Sequence, residues 1–296
     1  MTTVVDYALM AGASYISSRA EINMFPAPNL WLEHEDERRK GPSGFEATFF
    51  TKGSELVISY AGTNPADISG DILTDLSLAA GGLSSQLCQA ADYYLSLKNN
   101  LLYEDCAFTF TGHSLGGGLA SLMAVYFGES ATTFDQAPFR RSAVSQTQTI
   151  DTGGSTMQHL VAADLLTYLR NKGYNDTQLA KLKAFVDSAD PSNPNPIAGD
   201  TLAAREQKVA NFNTDGEFLT SWPLVPTSNR IGTQAREELG TDHGFPPSVG
   251  LYRNDPHGLI RVFRQPKKTK PGVQPGLSFK GQRKIRQRSA PDPDRR

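Results

Sequence analysis

Cysteine is nearly absent: the 296 residues hold two, Cys88 and Cys106. Two thiols cannot build a disulfide framework, nor close a structural zinc site without heavy help from His. Both are expected as buried free thiols. No apolar run approaches the roughly 20 residues that span a bilayer, so a soluble or peripheral protein is expected. A charged segment followed by an apolar one is missing at the N-terminus, where Asp6, Ser14, Ser17 and Ser18 interrupt residues 2–19. Sec-type export is therefore not expected. No loop carries the alternating carboxylates of an EF-hand, and the spaced acids Asp67, Asp71 and Asp75 read as structural, so no metal and no cofactor are expected. Internal repeats are missing too.

What is present is a charge asymmetry. The formal net charge of -2 divides into +8 over residues 267–296, with ten Lys/Arg against two Asp, and -10 over residues 1–266. An acidic body excludes nucleic acid as the main partner, because phosphate binding needs a basic face on the folded domain. The tail, rich in Pro, Gly, Lys and Arg, reads as a disordered, flexible segment, with contact to an anionic membrane surface as its alternative use. Residues 1–266 read as one catalytic domain, and the 39% hydrophobic composition of the whole chain is enough for a sizeable core.

Along that domain, apolar residues at helical spacing over 4–19 predict a helix lying on the core, stopped by Phe25-Pro26-Ala27-Pro28. Glu46 to Thr51 and Glu55 to Tyr60 are β-rich runs joined by Lys52-Gly53-Ser54, a hairpin signal. An amphipathic helix over 83–101, a short strand over 107–111, an apolar helix over 115–127 and a strand over 131–134 follow. This β-α-β-α-β alternation calls for a mostly parallel sheet. Residues 141–207 break the rhythm with helical stretches over 156–172 and 177–189 and predict a helical insertion. A strand over 208–214 restores the sheet, with Asp215-Gly216-Glu217 at its end.

Gly112-His113-Ser114-Leu115-Gly116 has the pattern Gly-x-Ser-x-Gly, in which a serine sits on a sharp strand-to-helix turn that tolerates only small neighbours. Five letters alone carry modest weight. The strand before them and the apolar helix after them are the setting the motif requires. Ser114 is therefore the candidate nucleophile, and it needs a base, a carboxylate to orient that base, and donors for the oxyanion.

Val57-Ile58-Ser59-Tyr60-Ala61-Gly62-Thr63-Asn64, the acids from Asp71 to Asp75 and the Gly-His-Ser-Leu-Gly turn together resemble the class 3 lipase family, from about Gly44 to Phe139 and again around 211–220 and 250–260. That resemblance implies an α/β-hydrolase fold with a mostly parallel central sheet. It implies Thr63 and the backbone N–H of Leu115 as oxyanion donors. Gly44-Phe45-Glu46-Ala47 and Gly216-Glu217-Phe218-Leu219 look closer to bacterial lipases that include antibacterial phospholipases of the type VI secretion system. This implies a chain that stays cytoplasmic until it leaves by a non-Sec route, and a cognate immunity protein as partner.

In this fold the acid follows the serine at a strand end, so Glu217 and Asp215 qualify. The family's Gly-acid dipeptide favours Glu217, although Asp is its usual acid. Of five histidines, His34 precedes the sheet, His113 is held within the turn, and His159 falls on an expected inserted helix. His257, in Asp255-Pro256-His257-Gly258, stands where the family places its base; His243 is the alternative. The expected activity is hydrolysis of lipid esters, as a lipase or phospholipase A, through an acyl-enzyme on Ser114. A soluble carboxylesterase and a non-catalytic binding protein on the same scaffold are the other readings. Leu160, Leu165, Leu166 and Leu169 on the insertion either line an acyl cleft or pack on the domain.

Overall fold

The computed structural model describes residues 2–16, 25–41, 43–62, 83–144, 146–150, 156–190, 193–213, 230–235, 249–252 and 261–264. In chain order the first elements are α1 (Val4–Ala13), β1 (Leu32–Glu33), β2 (Arg39–Lys40), β3 (Glu46–Lys52), β4 (Glu55–Tyr60), α2 (Ser85–Lys98), β5 (Ala107–His113) and α3 (Leu115–Phe127). Next come β6 (Ser130–Phe134), α4 (Arg140–Val144), β7 (Gln146–Ile150), β8 (Thr156–Leu160), α5 (Val161–Asn171) and α6 (Ala180–Ala189). The last are α7 (Leu202–Glu206), β9 (Val209–Phe212), β10 (Thr233–Ala235), β11 (Val249–Tyr252) and β12 (Arg261–Arg264).

One eight-stranded sheet runs in the order β1-β3-β4-β5-β6-β9-β10, with β2 also pairing to β3. Antiparallel pairs are confined to the β1, β2, β3 and β4 side; β4 with β5, β5 with β6, β6 with β9 and β9 with β10 are all parallel. This is the mixed, mostly parallel α/β sheet of the expected hydrolase architecture, with helices in the connections from β4 through β9 as parallel geometry demands.

Alternation along β4 divides the core in two. Leu56, Ile58 and Tyr60 join the large cluster with α2 and α3, whereas Val57 points to a smaller one with Met10, Ala13, Trp31 and Phe50. Successive strand residues face opposite sides of the sheet, so both faces must be covered. α1 covers one face. It is started by a capping box in which Thr3 and Asp6 each bond the other's backbone N–H, and it is tied down by Ser59 Oγ donating to Met10 O at 3.0 Å. α3 lies on the other face with all thirteen residues buried, as a sequence apolar nearly all round predicts.

Several expectations are corrected. The N-terminal helix ends at Ala13 rather than near residue 19. Thr156–Leu160 is a strand, paired antiparallel with Gln146–Ile150 from Gln146 opposite Leu160 to Ile150 opposite Thr156, so His159 stands on a strand and not on a helix. The physical reason is in the spacing: the helical apolar repeat begins only at Val161 and continues through Leu165, Leu166 and Leu169. These last three side chains are buried in the main core, and Leu160 packs against it, which favours domain packing over a cleft lining. Cys106 is half-buried, while Cys88 is buried; both are free thiols. The expected tail, 267–296, lies outside the described residues.

Candidate active site

The turn from β5 into α3 has a backbone that few residues adopt. Ser114 has φ 55° and ψ -125°; among the described residues, Leu30 and Asp135 are the other non-glycines with positive φ. Such a conformation persists only when its surroundings over-determine it, and they do here. Ser114 N donates to Phe134 O at 3.1 Å, and Ser114 O accepts from Gly118 N at 3.0 Å and from Ala137 N at 2.9 Å.

Both motif glycines are required by close approach. A Cβ on Gly112 would stand 2.5 Å from the carbonyl carbon and oxygen of Gly116, and one on Gly116 would collide with the carbonyl oxygen of Tyr60. The start of α3 therefore passes directly over the ends of β4 and β5. Ser114 is itself partly exposed within a buried stretch, and its side chain makes no capping bond to α3. The first amides of that helix, Leu115 N–H included, mark its positive end, where developing negative charge is stabilised.

The neighbouring strand β4 supplies the second wall. After Tyr60, Ala61 N donates to Glu46 O at 3.0 Å, and the chain reaches Gly62. A Cβ there would stand 3.3 Å from Ser114 Cβ and 2.8 Å from His113 O, so the chain at Gly62 approaches the Ser114 turn closely enough to require glycine. Thr63, the next residue, lies outside the described residues, as do Asp215, Glu217, His243 and His257. The structure thus brings Ser114, Leu115 and Gly62 together. Sequence position relates the others to it: Phe212, three residues before Asp215, ends β9, and His257 falls between β11 and β12, which pair antiparallel from Val249 opposite Arg264 to Tyr252 opposite Arg261.

Three features were missed in the sequence. Tyr15, just past α1, shares a hydrogen bond of 3.0 Å with His113 Nδ1, and both side chains are buried. Asp135 directly follows β6 beside Ser114, because His113 and Phe134 are register partners; it is 2% exposed, with φ 44° and its N–H donated to Phe212 O. A carboxylate after the serine at a strand end was the stated criterion for the acid, and Asp135, in Phe134-Asp135-Gln136-Ala137, satisfies it. The third is a buried polar chain at the ends of β6 and β9. Thr133 Oγ1 donates to Asn211 Oδ1 at 3.3 Å, Asn211 Nδ2 donates to Asn213 Oδ1 at 3.1 Å, and Arg230 Nη1 donates to the same oxygen at 2.7 Å. Among the described residues no group of three or more His, Cys, Asp or Glu is placed to hold a metal ion, and no helix is long and apolar enough to cross a membrane.

Residues 17–193, more than half of the chain, match the model of a phospholipase-like family, the Tle-like phospholipase domain. The extracellular phospholipase A1 of Serratia liquefaciens is 37% identical over 95 residues, a stretch covering 32% of this chain and 28% of that protein. Among solved structures, the M37 lipase matches at 16% identity with a TM-score of 0.27, covering 66% of this chain and 74% of that one. The chain belongs to the Tle-like phospholipase domain family.

Proposed function

We propose that this protein hydrolyses carboxylic esters of lipids, phospholipids first, through an acyl-enzyme on Ser114. The observation that carries the reading is the strained turn at Ser114 with the backbone of Gly62 against it. A serine in that turn presents its hydroxyl at the end of the sheet, with a helix N-terminus behind it. Family membership and the relationship to a phospholipase A1 support the lipid substrate.

In the proposed cycle, Ser114 Oγ attacks the ester carbonyl while His257 takes its proton. The tetrahedral oxyanion is held by the backbone N–H groups of Leu115 and Thr63. Collapse expels the alcohol, which receives the proton from His257, and water activated by the same His then releases the fatty acid and frees Ser114. His243 is the alternative base. Glu217, with Asp215 as alternative, orients the imidazole; the burial of Asp135 at the neighbouring strand end makes it a third claimant. No metal or cofactor enters these steps. In the biological setting this reading gives a secreted antibacterial effector, cytoplasmic until release by a non-Sec route, held in check by a cognate immunity protein and touching membranes peripherally.

Fatty-acid release from phosphatidylglycerol and phosphatidylethanolamine vesicles and from tributyrin, for the natural chain and Ser114→Ala side by side, tests the proposal. Release from vesicles that vanishes in Ser114→Ala supports it. Activity on tributyrin alone reassigns the substrate to neutral or soluble esters, and activity that survives in Ser114→Ala removes the serine mechanism. Glu217→Gln, Asp215→Asn and Asp135→Asn in the same assay identify the acid by the largest loss.

A further inference from the structure

Tyr15 lies 99 positions before Ser114 in the chain, yet its hydroxyl stands at the wall of the active site. It bonds His113 Nδ1 at 3.0 Å, and a Cβ on Gly62 would meet that same hydroxyl at 2.5 Å, ahead of His113 O at 2.8 Å and Ser114 Cβ at 3.3 Å. One point in space thus has Tyr15, the residue before the nucleophile and the nucleophile itself around it. The side chain is 3% exposed, so water does not substitute for its partners.

The segment carrying Tyr15 is fixed on both sides. Before it, Ser59 Oγ on β4 donates to Met10 O, and after it Ile16 N–H, next to Tyr15, donates to Glu46 Oε2 at 2.8 Å. Glu46 also accepts Ala61 N–H with its backbone oxygen at 3.0 Å. A single residue of β3 therefore anchors both the Tyr15 segment and the strand end that leads into Gly62 and Thr63.

Resting on the serine mechanism above, we propose that Tyr15 is a positioning residue of the oxyanion pocket. Its hydroxyl bonds the elbow at His113 and packs against Gly62 at the end of β4. That contact sets the spacing between the turn that carries the Leu115 amide and the strand end at Gly62. The spacing matters because a donor works only at hydrogen-bond distance from where the oxyanion will form, not from the ground-state carbonyl. A loosened pocket therefore binds substrate as before and stabilises the transition state less. The N-terminal helix thereby becomes part of the catalytic apparatus, although it donates nothing to substrate.

The test compares the natural chain, Tyr15→Phe, His113→Gln, the double variant and Ser114→Ala on p-nitrophenyl butyrate, with labelling of Ser114 by a fluorophosphonate and thermal unfolding in parallel. Tyr15→Phe keeps the ring in place and removes the O–H. A kcat lower by roughly 10- to 100-fold, the scale on which small misplacements act, is expected with KM unchanged, with phosphonylation slowed alongside, and with the chain still fully folded at the assay temperature although its unfolding midpoint falls as the loss of one buried hydrogen bond requires. The double variant is expected to lose no more than the worse single one. Full kcat in Tyr15→Phe, or a loss no larger than the unfolded fraction at the assay temperature accounts for, overturns the positioning role, as do additive losses in the double variant. Activity surviving in Ser114→Ala instead overturns the mechanism on which the role rests, so the two failures are told apart.

Discussion

Arg205 donates from Nη1 to the carbonyl oxygen of Val125 at 2.6 Å, at the C-terminal end of the helix that begins at Ser114. The same guanidinium reaches Tyr126 O, Lys181 O and Asp200 Oδ1, each at 2.8 Å, and is 1% exposed. Carbonyls in the last turn of a helix have no partner within it, and a cation there also meets the negative end of the helix dipole. One side chain thus joins α3 to α6 and to the loop before α7. Arg205→Met leaves those carbonyls buried without these donors, and unsatisfied buried groups cost about 1 to 3 kcal/mol each. Urea unfolding is expected to show a loss of about 3 kcal/mol, and Arg205→Lys to recover only part of it, since an ammonium cannot reproduce the planar fork.

Gly116→Ala tests the close passage of α3 over the sheet. The added methyl would collide with Tyr60 O, which is sheet backbone and cannot rotate away. Overpacking of this kind costs about 1 to 3 kcal/mol, and the elbow must shift to relieve it, so ester hydrolysis is expected to fall with stability. Gly199→Ala is the control: its Cβ would meet nothing within 4 Å, and a stability change of about 0.5 kcal/mol or less, in the favourable direction, is expected.

Much of this was legible in the sequence because it is local. The apolar run 115–127 and the strand 55–60 are bounded as periodicity and turn residues indicate, and the Gly-x-Ser-x-Gly turn follows from steric demands at two glycines. Thr156–Leu160 was misread because a short alternating stretch running into a helix shares its apolar residues with the helical pattern; only pairing with Gln146–Ile150 decides it. Tyr15 was invisible for a different reason. Its role depends on a contact across 98 positions, and nothing in the spacing around Ser14-Tyr15-Ile16 announces a partner. Asp135 was open to discovery, since an acid directly after a β-rich run that follows the serine meets the criterion already applied to Glu217 and Asp215.

The buried chain from Thr133 to Arg230 makes a third prediction. Asn213 Oδ1 accepts from both Asn211 and Arg230, and Arg230 is 4% exposed. Asn213→Ala removes that acceptor from a buried cation, and bonds of this charged type contribute about 1.5 to 3 kcal/mol. A loss of about 2 kcal/mol in urea unfolding is expected. Because β9 runs toward Asp215 and Glu217, vesicle hydrolysis by Asn213→Ala is expected to fall further than its folded fraction accounts for.

The two thiols should separate under alkylation. Burial pushes the Cys88 thiol up from 9.0 to about 11, against a smaller opposing pull from Lys172. Since the thiolate is the reacting species, iodoacetamide at pH 8 is expected to modify half-buried Cys106 first and Cys88 only when the chain unfolds, as peptide mass spectrometry would show. The same shift has a thermodynamic sign. A group that prefers to stay neutral in the fold holds its proton more tightly there than in the unfolded chain. Its stabilising share is therefore intact below pH 9 and is lost as pH rises toward about 11. Cys88→Ala removes that share, so the decline in unfolding free energy between pH 9 and 11 is expected to be shallower in the variant. Equal slopes, or preferential labelling of Cys88 in the folded protein, would show that this thiol is not shielded as its burial requires.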